Sequence, residues 1–574
     1  MTQVLRVLIR PLVASALALT LCAPALASTS VSLEMPSGYG SYLAGQQALR
    51  DLSTGDAERY LHDATTVEWT NPLVVQQAFL AYLANGDMDR ALAMANHLLE
   101  LRPNNGFAKL VIAASELRDR RYRAVERQLN GVSTADIAGI TGAVLRAWAF
   151  VGDGRPDDAF ADLDKVGKGG LSDFLLFHRA LMADVAGDSA EAIDLAGKAY
   201  RANPTAPRAV EAYARMLGNA GRFDEALGVI DKFDAIGLGD AVVDQVRKDL
   251  AAHQRPGLYA ANAQSGAAEL FHGIAVALAR DGNPDLAISL LQVGFYLDPH
   301  DQVIPLLIGQ LLDASDQHAA ANAYYTNIPT SSPLRLTAMI RVAQNYNAMD
   351  NRPEAIRQLT NIVNTNPTDL DALTVLGDLM RADKQYDQAA KYYSQAVNVD
   401  KGESTADWVL YYERGIAYER GNQWDNAQAD FLKALQLSPE QPQVLNYLGY
   451  TWVDKGQNLD KALDMIQRAV KATPTDGFIV DSLGWAFYKL GRDDDAVHTL
   501  EQAVQLKPND PQINDHLGDA YWKVGRKLEA HFQWNVAASL NPDPTLKAEI
   551  TKKQAGGLEP ATASAGPAPQ TAIQ

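Results

Sequence analysis

Alanine returns along this chain at a nearly fixed interval. It stands at Ala57, Ala91, Ala124, Ala159, Ala192, Ala226, Ala287, Ala321, Ala355, Ala389, Ala427, Ala462, Ala496 and Ala530, spaced by 33 to 38 residues except for one gap of 61. Twelve positions before most of these alanines stands Gly or Ala, as at Gly45, Ala147, Gly309, Gly377, Gly415 and Gly518; Gly449 follows the rule with one residue inserted, and Phe79 and Ile112 break it. A spacing kept so many times is an internal repeat, and it dominates every other constraint on the fold.

The repeat dictates helix pairs. Apolar residues recur at i, i+3, i+4 and i+7 around each alanine, as in "ALAMANHLL" and "AVHTLEQAV", which is the period of an amphipathic helix. Two helices approach closely only where side chains are small, so the Gly/Ala of the first helix and the Ala of the second mark their crossing. Polar turns such as "NGDMDR", "AGRFDE" and "LGRDDD" separate the two, and a proline such as Pro508 or Pro542 ends the second.

Spacing and residue class together resemble the tetratricopeptide repeat, over about residues 38–544. The resemblance implies an all-α fold, a tetratricopeptide-repeat α-solenoid, as a right-handed superhelix of about 14 helix-turn-helix units. The most regular units lie from Gly415 onward. Residues 38–235 form a degenerate N-terminal series and 264–544 a C-terminal array. The long gap holds 27 extra residues, expected as an added helix and loop over 236–263; it either divides two lobes or decorates one continuous solenoid. Residues 545–553 are expected as a capping helix, which covers the last apolar face of an array. Residues 554–574, rich in Pro, Gly and Ala, are expected to be disordered.

The first 27 residues read as a cleavable secretory signal. Arg6 and Arg10 precede an apolar stretch, and Ala25-Leu26-Ala27 gives a small-x-small site before Ser28. A periplasmic location follows. Leu21 before Cys22, the chain's one cysteine, disfavours lipoprotein processing, so the mature chain has no thiol chemistry. No later stretch is long and apolar enough to span a membrane. Lys and Arg number 51 against 69 Asp and Glu, a formal charge of −18, which sets aside nucleic acid and anionic lipid as main partners.

The stretch "INDHLGDAYWKVGRKLEAHFQW" concentrates Asp515, His516, Asp519 and His531 with two tryptophans. The repeat gives each of them a place, and a metal site would need a further ligand from across a helix crossing; no metal or cofactor is expected. No phosphate loop, zincin motif or nucleophile elbow occurs, so the chain is read as non-enzymatic, with no small-molecule substrate. In the repeat family the first helices line a ligand groove. Carried over position by position, that assigns to the groove Asn446 and Tyr450, then Phe478, Asp481, Trp485, Tyr488 and Lys489, then Gln512, Asp515, Asp519, Trp522 and Lys523. Such a groove is acidic and aromatic and suits a neutral or basic peptide segment; alternatively its aromatics fill contacts between repeats. His516 falls one residue off the groove and is expected to pack at the neighbouring helix or cap.

The last three units also resemble long repeat proteins of proteobacterial envelopes, among them lipoprotein adaptors of carboxy-terminal processing proteases. That resemblance implies a scaffold or adaptor with protein partners, namely a processing protease and cell-wall hydrolases. The alternative reading is a structural assembly subunit of envelope polysaccharide or peptidoglycan machinery.

Overall fold

The computed structural model describes residues 38–131, 137–166, 171–237, 239–401 and 405–558; the signal expected at 1–27, Cys22 and the tail beyond 558 lie outside them. Among the described residues there are helices and no strands. They divide into two compact units at 355/356, rather than at the inserted 236–263.

In the first unit the helices are α1 (Gly38–Arg50), α2 (Thr54–Val67), α3 (Pro72–Asn85), α4 (Met88–Leu101), α5 (Gly106–Arg118), α6 (Tyr122–Leu129), α7 (Ile137–Gly152), α8 (Pro156–Leu163), α9 (Ser172–Ala186), α10 (Ser189–Ala202), α11 (Pro207–Asn219) and α12 (Phe223–Asp234). The insert supplies α13 (Ala241–Ala251); then follow α14 (Ala263–Arg280), α15 (Pro284–Leu297), α16 (Val303–Asp313), α17 (His318–Asn327) and α18 (Arg335–Ala348). The unit boundary falls in α19 (Arg352–Thr365). The second unit continues with α20 (Leu370–Ala382), α21 (Tyr386–Asp400), α22 (Trp408–Arg420), α23 (Trp424–Leu437), α24 (Pro442–Asp454), α25 (Leu459–Ala472), α26 (Gly477–Lys489), α27 (Asp493–Leu506), α28 (Pro511–Lys523), α29 (Lys527–Ser539) and α30 (Pro544–Gly556). The tail expected from 554 therefore begins no earlier than 557. No described helix is long and apolar enough to cross a membrane.

Local chemistry sets these boundaries. Asp476, Asp510 and Asp543 cap α26, α28 and α30 by accepting from the second and third backbone N–H groups of each helix. The turns inside the last two repeats pass through Gly491 (φ +73°) and Gly525 (φ +85°), a conformation open to glycine. Thirteen of the fourteen ladder alanines have no exposed surface, Ala124 being half-buried. The crossing is sharper than small against small. The glycine twelve before the alanine makes room for a large side chain on the second helix: a Cβ on Gly518 would lie 2.5 Å from the Trp534 ring, and one on Gly377 2.7 Å from Tyr393.

The first unit departs from an open array. Instead of continuing the stack, α14 packs on α5, α7 and α9, and α15 on α1, α3 and α5. These are the first helices of the preceding pairs, so the face that a repeat array offers to ligands is filled here by the chain itself. Gln264 donates to the Leu117 carbonyl (2.9 Å) and Gln292 to that of Ala84 (3.2 Å). Trp148, fully buried, lies on Gly266, and Phe174 on Gly273. One large apolar core reaches from Ala48 to Val342, with a separate smaller cluster over Val210–Leu250. The second unit's core is instead a series of smaller clusters, one over Ala427–Ala486 and one over Phe487–Ile550.

Candidate functional site

The second unit keeps its first helices, α20, α22, α24, α26 and α28, as a series. A polar contact joins each to the next. Arg381 Nη2 lies 3.2 Å from Glu413 Oε2 between α20 and α22. Tyr447 of α24 donates to Glu419 of α22 at 3.2 Å. Lys489 of α26 faces Asp454 of α24 at 3.8 Å. His516 Nδ1 of α28 donates to Asp481 Oδ2 of α26 at 2.9 Å. At the end, Lys553 of α30 donates to Asp515 Oδ2 at 2.6 Å and to Asp519 Oδ2 at 2.8 Å.

This pairing changes what the groove residues offer. Asp481, Asp515 and Asp519 were expected to present negative charge to a ligand. All three are buried, and each is answered by a base of the same chain. A lone buried carboxylate costs several kcal/mol, about as much as its base restores, so their charges are committed to the wall. Asp519 also accepts from the Trp534 indole at 3.0 Å. His516 packs at the neighbouring helix: its ring stacks on Trp485 at 4.0 Å, and Tyr488 covers Trp485 at 4.7 Å. The His516 contact joins Trp485 to the next repeat, so the half-buried ring takes part in inter-repeat packing.

Protonation follows from burial and neighbours. Burial alone would lower the His516 imidazole, but Asp481, with Asp515 and Asp519, raises it above its ordinary value. Burial and then the charge of Asp519 push the Asp515 carboxyl up to about 6, against the pull of Lys553. Burial pushes the Glu413 carboxyl up to about 7, Arg381 opposing. Among the described residues no three His, Cys, Asp or Glu side chains converge as a metal-binding set, and a lysine ammonium already sits between Asp515 and Asp519.

The remaining candidates lie nearer the middle of the series. Asn446 of α24 is 6 % exposed, and its Oδ1 has no hydrogen-bond partner. Tyr450, one turn on, is half-buried, and burial followed by Asp481 and Asp454 raises its phenol. Phe478, Gln512 and Trp522 are also half-buried; Lys507 lies over the Phe478 ring at 5.1 Å, and Lys523 over Tyr488 at 4.5 Å. Sequence reasoning passed over Glu413 and Lys553. Both lie one repeat from their partners, and the repeat period would have aligned them. A cleft of about 340 Å³ in the first unit lies apart from all these residues, where α15 meets α4 and α5, with Arg118 stacked on Tyr296 at 4.0 Å.

Comparison with known proteins places repeats in both units. A family model described as TPR repeat matches residues 484–525, and one described as Tetratricopeptide repeat matches 179–241 and 412–477. The TPR repeat-containing protein PA4667 of Pseudomonas aeruginosa is 32% identical over 110 residues, covering 19% of this chain and 18% of the relative. The chain thus spans under a fifth of that relative's length. Among solved structures, APC/C Cut9–Hcn1 is similar with a TM-score of 0.38 and 15% identity, covering 91% of this chain and 97% of that one. YrrB, a TPR protein with an unusual peptide-binding site, has a TM-score of 0.27 and 22% identity, covering 34% and 97%. Yeast Tom70 has a TM-score of 0.34 and 16% identity, covering 91% and 95%. The chain carries tetratricopeptide repeats, and its fold is that of an all-α repeat protein.

Proposed function

We propose that this tetratricopeptide-repeat chain is a protein-binding scaffold whose peptide surface is the first-helix face of the second unit, centred on Asn446 and Tyr450. Proteins built of these repeats mediate protein–protein contacts, and in the first unit the equivalent face is filled by α14 and α15. The observation that carries the reading is the buried, unpartnered Oδ1 of Asn446. A buried acceptor without a donor costs about 1–3 kcal/mol; a backbone N–H of an extended segment laid on the face would satisfy it, and Tyr450 beside it supplies apolar area. The finer form of the proposal is an adaptor in the periplasm that brings bound chains to a processing protease.

The test sets binding against stability. Asn446→Leu is expected to raise stability by about 1 kcal/mol, because an unpaired polar group leaves the interior, while lowering capture of partners from a periplasmic extract about tenfold. If capture stays at the wild-type level, this face does not bind through Asn446. Mass spectrometry of the captured proteins reads the finer proposal: synthase or export subunits in place of a protease and cell-wall hydrolases would sink it.

A further inference from the structure

We propose that the C-terminal helix α30 is a proton-fastened clasp: it seats Lys553 between Asp515 and Asp519, covers Trp522, and loosens as this buried carboxylate pair takes on its second negative charge. The inference does not depend on the peptide reading, and its test needs no ligand.

The geometry has three parts. Asp515 and Asp519 lie one turn apart on α28, are 3 % and 4 % exposed, and share a single ammonium. With both ionised, the closed site buries a net negative charge. Asp519 is also held by the Trp534 indole, whereas Asp515 Oδ1 is buried with no partner; Asp515 is therefore where a proton is best accommodated. Finally, α30 is tied down by little else that is polar. Gln554 donates to Asn535 Oδ1 at 2.8 Å and to the Trp534 carbonyl at 3.4 Å. Gly557 lies so close on the Trp522 ring that a Cβ there would be 1.9 Å from it. Leu546 and Ile550 bury the apolar side.

The charged and titratable groups that face Asp515 are Asp519 and His516 on its own helix, Asp481 and Tyr488 on α26, and Lys553 on α30. His516 is held by Asp481 and also acts on Asp515, whose carboxyl its charge pulls down. The sign for α30 follows from linkage. In the closed state burial and Asp519 push the Asp515 carboxyl up to about 6. When α30 swings away, the carboxyl is exposed to water and returns toward the ordinary aspartate range near 4. Protons therefore bind the closed state more tightly. Closure is strongest below the open-state value near 4, weakens as pH rises toward about 6 and is level above that, the opposite of a salt bridge that acid breaks. Opening bares Trp522 and extends the first-helix face to the end of α28.

Hydrogen exchange of the full chain tests this, with backbone protection in residues 544–556 corrected for intrinsic rates. Raising pH from 5.5 to 8.0 is expected to lower protection of α30 about fourfold, with α24 unchanged. Asp515→Asn, permanently neutral, is expected to remove most of that dependence and to hold α30 at pH 8.0 at least as well as the wild type does at 5.5. Lys553→Gln is expected to leave α30 poorly protected at both pH values. The proposal is overturned if wild-type protection is the same at both pH values. It is equally overturned if Asp515→Asn exposes α30 at pH 8.0 as Lys553→Gln does, because Asp515 would then be an ordinary charge anchor.

Discussion

Arg208→Met is expected to cost the first unit about 3–5 kcal/mol at pH 7.5, the range for stranding one member of a buried ion pair. Arg208, on α11, makes a two-point pair with Glu269 of α14: its Nε donates to Oε1 at 2.9 Å and its Nη2 to Oε2. Glu269 is 5 % exposed and also accepts from the Tyr259 hydroxyl at 3.0 Å. Burial pushes the Glu269 carboxyl up, but Arg208 and His272 more than reverse this and hold it at about 2. The wild-type pair therefore contributes stability that is present above the unfolded carboxylate value, near 4.3, and is lost as pH falls toward 2. In Arg208→Met the sign changes, because burial acts with little opposition. The deficit should be largest at pH 7.5 and shrink toward pH 5 as Glu269 takes up a proton. Protection of α14 in hydrogen exchange reads both effects. Adding Glu269→Leu to the variant should recover most of the loss, since an apolar pair can replace a buried ionic one. A loss under about 1 kcal/mol at pH 7.5 would mean that the pair is solvated like a surface contact.

Trp148→Ala is expected to cost a similar amount, about 3–5 kcal/mol, the range for removing a large aromatic from a packed core. The indole has no exposed surface, donates to His178 Nδ1 at 3.3 Å and lies flush on Gly266. His178 is neutral beside it because burial pulls its imidazole down to about 4. The opposite change tests the same contact. A Cβ at Gly266 would meet the Trp148 ring at 2.2 Å, so Gly266→Ala is expected to cost about 1–3 kcal/mol through overpacking. Combined with Trp148→Ala, a larger side chain at Gly266 should recover part of the loss. Residues in contact are coupled in this way, and strict additivity in urea unfolding would show that α14 does not bear on α7.

The repeats were legible because a spacing is a property of sequence alone. The ladder alanines and the glycines before them are fixed by how near two backbones must come, and thirteen of those alanines are fully buried. The groove residues were legible only as positions. The reading placed Asp481, Asp515 and Trp485 on the first helices, yet it did not supply what faces them, since each partner comes from the next helix in the series: His516 for Asp481, Lys553 for Asp515. The fold-back of α14 and α15 was hidden for another reason. Both obey the repeat template, so they read as one more unit. The signal lay in their surfaces. Twelve of the eighteen residues of α14 are buried, among them Gln264, Glu269 and His272, and the α3 sequence "PLVVQQAFLAYLAN" is apolar nearly all round. A helix without a polar face has neighbours on every side, and an open array cannot supply them.

The fold-back also has a consequence in time. A linear array can form from either end, because each repeat needs only its neighbour, and the separate core clusters of the second unit fit that behaviour. The first unit cannot finish this way: Gln292 closes on Ala84 and Gln317 on Asp51, 208 and 266 residues apart in sequence. Contacts so distant slow folding, since the chain must be ordered before they form. During synthesis, the apolar face of α3 waits until α15 has been made, about 200 residues later, which at roughly 5–20 residues per second is on the order of ten to forty seconds. The half of this protein that ends up most enclosed is thus the half that stays open longest while it is being made, and it is the half for which a chaperone would matter most.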